Sequence, residues 1–236
     1  MRAAALVLAA ALAAAAQARA AEEPIMVGGK PWVYSREDAA DIMRACAACH
    51  GEAGAGGGGG HYPRLAGFDR DYLAEQLRKF KSRQRENIPM IPFATERELP
   101  ERDVLAISRY LSEITIDTKP PKDMPTDGYA RLQAMKKVLQ IPREAGDVAA
   151  GGQVYSRDCA ACHGKRGEGR LRKPPLAGQH VPYLRTQIDN FLSAKRGHDD
   201  VERIMRPLAP QDWNNLWAYV TALGDGEEPA GAAPAA

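Results

Sequence analysis

The 236-residue sequence contains few aromatic side chains and few cysteines. Phenylalanine, tryptophan and tyrosine together make up 6% of the chain, and there are four cysteines. This length is enough for one or two domains, and so few rings indicate that something other than side chains fills part of the core. All four cysteines lie in two short motifs, so no cysteine remains for a structural disulfide elsewhere.

The sequence also lacks an excess of charge of either sign. It contains 32 lysine and arginine residues against 30 aspartate and glutamate residues. Removal of an N-terminal leader that includes Arg2 and Arg19 would leave 30 of each. Nucleic-acid binding requires a basic stripe or a strongly basic domain, so the composition argues against that class of function.

No apolar run reaches the roughly 20 residues of a typical membrane-spanning helix. The run from Ala3 to Ala16 is shorter and mostly alanine, and it leads to Ala18-Arg19-Ala20, an A-x-A cleavage pattern. We therefore expect residues 1–20 to be a secretory signal peptide that is cleaved before Ala21, and the mature protein to be periplasmic. An uncleaved membrane anchor is the alternative.

One pentapeptide occurs twice, as Cys46-Ala47-Ala48-Cys49-His50 and as Cys159-Ala160-Ala161-Cys162-His163. C-x-x-C-H is typical of covalent c-type haem attachment, in which both thiols bond to the porphyrin and the histidine ligates the iron. A four-cysteine zinc site is the alternative, but its C-x-x-C pairs lie about 15 to 20 residues apart, whereas these begin 113 positions apart. The sequence therefore predicts two covalently attached haem c groups.

A longer repeat surrounds the two motifs. The block Pro63-Arg64-Leu65-Ala66-Gly67 returns as Pro174-Pro175-Leu176-Ala177-Gly178, at an offset of 111. The same offset relates four further pairs: Tyr72 and Tyr183, Gln76 and Gln187, Phe80 and Phe191, and Arg85 and Arg196. Apolar residues at i, i+4 and i+7 predict an amphipathic helix in each copy, and Asp69 is placed to cap the first.

Two further helices are predicted in each half. One begins near Ser35 or Asp147 and leads into a haem motif, and the other follows Pro100 or Ala209. No segment alternates between apolar and polar residues for long, so the predicted fold class is all-α. We expect an irregular arm over 21–34, domains over 35–115 and 147–223, a linker over 116–146 and a disordered tail over 224–236.

The linker and a glycine-rich segment have no counterpart in the repeat. Within the linker we expect an extended stretch from Thr118 to Pro125 and a helix over 129–139, whose apolar side packs on a domain. That side comprises Leu132, Met135, Val138 and Leu139. Five consecutive glycines at 56–60 lack the Gly-Lys-Ser/Thr ending of a phosphate-binding loop, and we expect a flexible surface loop there.

The sixth ligand of each iron decides between electron transfer and substrate binding. With His50 and His163 as proximal ligands, Met90 and Met205 are the predicted partners, because both stand in the pattern Met-x-Pro-apolar-Ala. Met90 lies nine residues before Leu99, whereas Met205 lies three before Leu208. This irregularity leaves a competing ligand open at the second iron, His198, ahead of the less favoured His61 and His180.

Other residues are candidates to support the haems. The carbonyl groups of Pro63 and Pro174 are placed to accept the second ring N–H of each proximal histidine. Arg85 with Tyr72, and Arg196 with Tyr183, are candidate donors to the haem propionates because they recur in both halves. A purely structural role for these residues is the alternative.

Together these motifs resemble the class I cytochromes c, and among them the dihaem cytochrome c4 family, over residues 35–114 and 147–223. The resemblance implies two tandem cytochrome c domains related by a pseudo-twofold axis, with haem propionate edges facing each other and electrons exchanged between the haems of a periplasmic carrier. It also supports the four ligands His50, Met90, His163 and Met205. The linker is longer than in that family.

Three functions follow as hypotheses. The first is an electron shuttle between a quinol-oxidising complex or periplasmic dehydrogenase and an acceptor such as a terminal oxidase, which implies redox protein partners, including membrane-bound respiratory complexes. The second is a fixed cytochrome subunit of a sulfur-compound or flavocytochrome dehydrogenase. The third is an enzyme, either a dihaem peroxidase, which needs an open iron, or a thiosulfate dehydrogenase, whose cysteine-ligated haem would need a fifth cysteine. We expect an electron-transfer protein and no catalytic residues.

Overall fold

The computed structural model describes residues 24–136 and 138–223. The predicted signal peptide at 1–20 and the predicted tail at 224–236 lie outside these residues. The described residues form nine α-helices and one two-stranded sheet, so the predicted all-helical class is confirmed apart from that sheet. No helix within 24–136 or 138–223 is long and apolar enough to cross a membrane.

The first half is built on three helices that surround one apolar core. They are α1 (Arg36–His50), α2 (Arg70–Lys81) and α3 (Glu101–Ser112), with short 3₁₀ turns at Gly58–Gly60 and Ile88–Met90. Both α1 and α2 pack on α3. The predicted caps are confirmed: Ser35 Oγ accepts the Asp38 N–H at 3.1 Å, and Asp69 Oδ1 accepts the Tyr72 N–H at 2.8 Å.

A β-hairpin precedes α1, where an irregular arm was predicted. Its strands are β1 (Ile25–Val27) and β2 (Lys30–Trp32), joined by Gly28 and Gly29 with φ of 57° and 77°. Two glycines with positive φ form the turn that best matches the twist of a two-residue hairpin. Ile25 and Trp32 pack with Tyr34 against the first half, so the arm belongs to its core.

The connection between the halves contains α4 (Gly128–Met135). The predicted helix over 129–139 is therefore wrong at its C-terminal end, and so is its predicted apolar side. Leu132 is 55% exposed, whereas Val138 and Leu139 are buried. These two residues lie in an extended segment, in which the Leu139 N–H donates to the Asp117 carbonyl at 2.7 Å. Backbone pairing with Asp117 replaces the last helical turn.

The second half has the same arrangement of helices as the first, but it is divided into more and shorter helices. It contains α5 (Val148–Asp158), α6 (Ala160–His163), α7 (Val181–Leu192), α8 (Val201–Ile204) and α9 (Pro210–Ala222). The predicted cap Asp147 accepts the Ala150 N–H at 3.0 Å. Helices α5 and α9 cross closely at Gly151, where a Cβ atom would overlap the Asn215 carbonyl.

The glycine run after the first haem motif, predicted as a flexible surface loop, packs on the second half at Gly56 and Gly60, whereas Gly58 and Gly59 are exposed. The 3₁₀ turn at Gly58–Gly60 contacts α7. A Cβ atom on Gly60 would lie 3.2 Å from both His180 and Pro182, and one on Gly56 would overlap His180. The glycines therefore allow the two halves to approach each other closely.

Candidate functional site

The first haem-attachment motif forms the last turns of α1. Cys46 and Cys49 are free thiols, partly exposed, and His50 is only 7% exposed. The His50 Nδ1 lies 2.9 Å from the Pro63 carbonyl oxygen. A carbonyl can only accept a hydrogen bond, so Nδ1 carries the proton and Nε2 keeps its lone pair for a metal. Burial lowers the pKa of His50, which favours the same neutral form.

The second motif has the same geometry at the junction of α5 and α6. His163 is buried, and its Nδ1 lies 2.8 Å from the Pro174 carbonyl oxygen. Burial lowers the pKa of His163 and raises the pKa of Cys159 to about 12, so the thiol stays protonated in the free chain. Both predicted proline carbonyls therefore stand beside the predicted proximal histidines.

A cavity of about 860 Å³ opens beside the second motif. This volume falls within the roughly 300 to 1,000 Å³ of cofactor sites. Cys159, Cys162, His163 and Met205 all line it, and Met205 is only 7% exposed. A free imidazole nitrogen, two free thiols and a buried thioether around one cavity are the donor set of a covalently bound haem with His/Met ligation.

The sixth ligand of each iron stays a prediction. Met90 ends the 3₁₀ turn at Ile88–Met90 and is half-buried. At the second site both Met205 and the competing His198 line the cavity. The His198 ring lies nearly parallel to that of His163, with centroids 6.2 Å apart, and its Nδ1 lies 2.6 Å from the Asp199 carbonyl oxygen.

The predicted propionate donors meet in one buried network between the halves. Arg85 donates to Tyr183 at 2.9 Å and to Gln187 at 3.1 Å, both on α7. Arg196 donates to Tyr72 at 3.1 Å, on α2. Each arginine was paired with a tyrosine of its own half in the prediction, but each bonds to the tyrosine of the other half. The network therefore follows the twofold relation of the repeat.

Two glutamines complete this network, and they were missed as functional residues in the sequence. Gln76 accepts from Arg85 at 2.9 Å and from Arg196 at 3.1 Å, and Gln187 accepts from Arg196 at 2.6 Å as well as from Arg85. Their signal was a polar residue repeated on an otherwise apolar helix face. Among the described residues, no carboxylate accepts from either guanidinium, so both positive charges remain available to the predicted propionates.

A second contact between the halves is asymmetric. The Gln179 side chain accepts from the Arg64 N–H at 2.9 Å and donates to the Arg64 carbonyl at 3.0 Å, next to the Pro63 carbonyl that faces His50. His180 Nε2 donates to the Ala55 carbonyl at 2.8 Å. The second half thus holds the backbone that supports the first proximal histidine.

The sequence profile of the Cytochrome c family matches residues 36–115 and 148–224. A "Thiosulfate dehydrogenase electron acceptor" of Stutzerimonas stutzeri (strain A1501) is 31% identical over 83% of this chain and 86% of its own length. Another protein of that name, from Thiomonas intermedia (strain K12), is 34% identical over 71% of this chain and 70% of its own.

A solved structure has the same fold. The reduced recombinant cytochrome c4 from Pseudomonas stutzeri aligns with a TM-score of 0.57 at 23% identity, covering 80% of this chain and 98% of that chain. Two C-x-x-C-H motifs fall within the two matched segments of the family profile. The chain therefore belongs to the cytochrome c family and is a dihaem, cytochrome c4-like electron carrier with two covalently bound haem c groups, for which Cys46 with Cys49 and Cys159 with Cys162 are the predicted attachment sites.

Proposed function

We propose that this cytochrome is a periplasmic electron acceptor of a dehydrogenase that oxidises thiosulfate or a related sulfur compound, and that it passes the electrons to an acceptor such as a terminal oxidase. The observation that carries the proposal is the similarity, along more than two thirds of the chain, to two proteins named thiosulfate dehydrogenase electron acceptor. The geometry supports a carrier, since both attachment motifs belong to one interlocked body.

Each bound haem supplies an iron that takes up and releases one electron. The residues of the chain hold that iron in a fixed environment. His50 and His163 are the proposed proximal ligands, fixed by the Pro63 and Pro174 carbonyls. Met90 or Met205 at the sixth position would leave no site for substrate, which suits electron transfer and not peroxidase chemistry.

The proposal is tested by mixing the oxidised dihaem protein with thiosulfate and a purified thiosulfate dehydrogenase. We expect the α-band absorbance of the reduced haems to develop only when the dehydrogenase is present. Reduction by a quinol-oxidising complex, with none by the dehydrogenase, would overturn the proposed donor. The proposed location predicts that protein from a periplasmic fraction begins at Ala21 and has the mass of residues 21–236 plus two haems.

A second candidate is a fixed subunit of such a dehydrogenase, and one observation favours it. Helix α4 leaves Tyr129 and Leu132 72% and 55% exposed, on a connection that lies outside both segments of the family profile. A permanent subunit would elute with the dehydrogenase in size-exclusion chromatography at high salt. A shuttle would elute alone under the same conditions.

A further inference from the structure

The loop that follows each haem motif has a different role in each half. In the first half it contains the run Gly56–Gly60 and contacts α7. In the second half the equivalent segment, residues 165–173, reads Lys-Arg-Gly-Glu-Gly-Arg-Leu-Arg-Lys. Its five basic residues are all exposed. We call residues 165–173 the basic loop; it is the copy that the contact between the halves leaves free.

Most of the positive charge of the basic loop is not neutralised locally. Lys173 pairs with Asp199 at 2.6 Å, and Glu168 accepts from the backbone N–H of Arg166. Within 24–136 and 138–223, the other four basic side chains of the loop form no ion pair. Glu75, which faces Arg172 and Lys173 from α2, is itself paired with Lys79. A protein with balanced total charge thus concentrates cations here.

An apolar side chain stands at the tip of the basic loop. Arg170 and Lys173 exchange backbone hydrogen bonds at 3.1 and 2.9 Å around a two-residue turn. Leu171, the first residue of that turn, has a φ of 51° and is 91% exposed. A positive φ favours glycine at this position. The exposed leucine side chain also contributes no hydrophobic stabilisation to the fold. A single exposed leucine is ordinary, but this one is held in a left-handed conformation between two arginines and is available for contact with another molecule.

The basic loop also adjoins the cavity beside the second haem motif. Arg172 and Lys173 line the same cavity as Cys162 and His163, and Lys173 directly precedes Pro174, whose carbonyl faces His163. Cys162, one of the two attachment cysteines, is itself exposed. A partner that contacts the loop would therefore lie beside the attachment side of this haem.

We propose that the basic loop is the docking surface for a redox partner protein with an acidic surface patch, that Leu171 makes the apolar contact at its centre, and that one electron passes between the partner's redox centre and the second haem. This inference rests on the proposed role as an electron carrier between proteins, but not on the identity of the donor. Opposite charges would raise the association rate, and the leucine would prolong the contact.

An anionic membrane surface shares this charge preference, but the loop fits it less well. Interfacial membrane binding uses a broad apolar face next to the basic residues, whereas here one leucine is exposed. Electron exchange also needs a redox centre close to the haem, which a lipid surface does not provide. The charge and the position beside the cavity therefore favour a protein.

Small oxidants of opposite charge test the electrostatic part on the reduced dihaem protein. We expect oxidation by hexacyanoferrate(III) at low ionic strength to slow about three- to tenfold in the double variant Arg170→Gln/Arg172→Gln. Oxidation by tris(phenanthroline)cobalt(III), a cation, should not slow. The control Lys122→Gln/Arg131→Gln removes two exposed charges from the connection between the halves and should leave both rates unchanged. Equal slowing by both pairs of substitutions would overturn the proposal.

The apolar part is tested on gold electrodes coated with carboxylate-terminated or mixed carboxylate- and methyl-terminated alkanethiols. Leu171→Gly should lower the electron-transfer rate severalfold on the mixed layer and leave it unchanged on the pure carboxylate layer. Equal rates of Leu171→Gly and the parent protein on the mixed layer would overturn the apolar contact. Co-sedimentation with phosphatidylglycerol vesicles that is lost in Leu171→Gly would overturn the protein partner in favour of a membrane.

The two proposals fail separately. If the arginine variant is oxidised more slowly but thiosulfate dehydrogenase does not reduce the parent protein, the docking surface is supported and the proposed donor is wrong. If the oxidation rate of that variant is unchanged and the dehydrogenase does reduce the parent protein, only the docking surface is wrong.

Discussion

Replacement of Gly56 by alanine should weaken the contact between the two halves, and Gly59 offers a matched control. Both glycines have positive φ, 96° and 64°. A Cβ atom on Gly59 would meet nothing within 4 Å, whereas one on Gly56 would overlap His180 and lie 2.8 Å from the Tyr62 carbonyl oxygen. Both substitutions therefore place an alanine at positive φ, but only Gly56→Ala adds close contacts with His180 and Tyr62.

The expected magnitudes follow from these surroundings. A left-handed alanine costs about 1 to 2 kcal/mol, and we expect Gly59→Ala to lose about that much. Gly56→Ala adds overpacking of about 1 to 3 kcal/mol and loss of the His180 hydrogen bond to Ala55, about 1 kcal/mol. The total for Gly56→Ala is about 3 to 6 kcal/mol.

Urea unfolding of the dihaem protein measures both free energies. In a His180→Ala background, the cost of Gly56→Ala should fall toward that of Gly59→Ala, because the overlapping ring is gone, while the Tyr62 share remains. Equal losses for Gly56→Ala and Gly59→Ala would refute the close packing of the glycine run on the second half.

Three further predictions concern the second half. Gly151→Ala should destabilise the protein by about 3 kcal/mol or more in urea unfolding, because the new methyl group overlaps the Asn215 carbonyl at a helix crossing. Met205→Ala should lower the potential of one haem and open its iron to cyanide, as seen by spectroscopic titration; an unaltered spectrum would assign the ligand role to His198. Gln179→Ala should cost about 1 to 3 kcal/mol in urea unfolding, because it removes both of its hydrogen bonds to the Arg64 backbone. The same variant should shift the potential of the first haem, although the substitution lies in the other half.

Local signals in the sequence were sufficient to predict where three of the helices begin. Ser35, Asp69 and Asp147 each cap a helix by accepting the backbone N–H of a residue three positions later. Such a cap depends only on neighbouring residues, so the sequence predicts it. The N-terminal hairpin was missed because its only signal was the Gly28-Gly29 turn, and three-residue strands are too short to alternate visibly.

The contacts between the halves could not be predicted from the sequence. The repeat identified Arg85 and Tyr183 as recurring residues, but whether a tyrosine bonds within its own half or across depends on how the two copies pack. The packing of Gly56 and Gly60 on the second half was not predicted, because the residue that lies against both, His180, is more than 100 positions away in the chain. Gln179 has no equivalent in the first half, where Phe68 stands at the same offset.

The arginine network also bears on what the connecting segment is for. The hydrogen bonds described above that join the halves lie on α2, α7 and the loops beside them, whereas residues 120–127 lie in the connection between α3 and α4. A chain cut in that stretch would remain assembled as two complementary fragments, with the peptide tether acting only as a source of effective concentration. The protein is in this sense equivalent to a permanent heterodimer of two cytochrome domains that are encoded in one polypeptide.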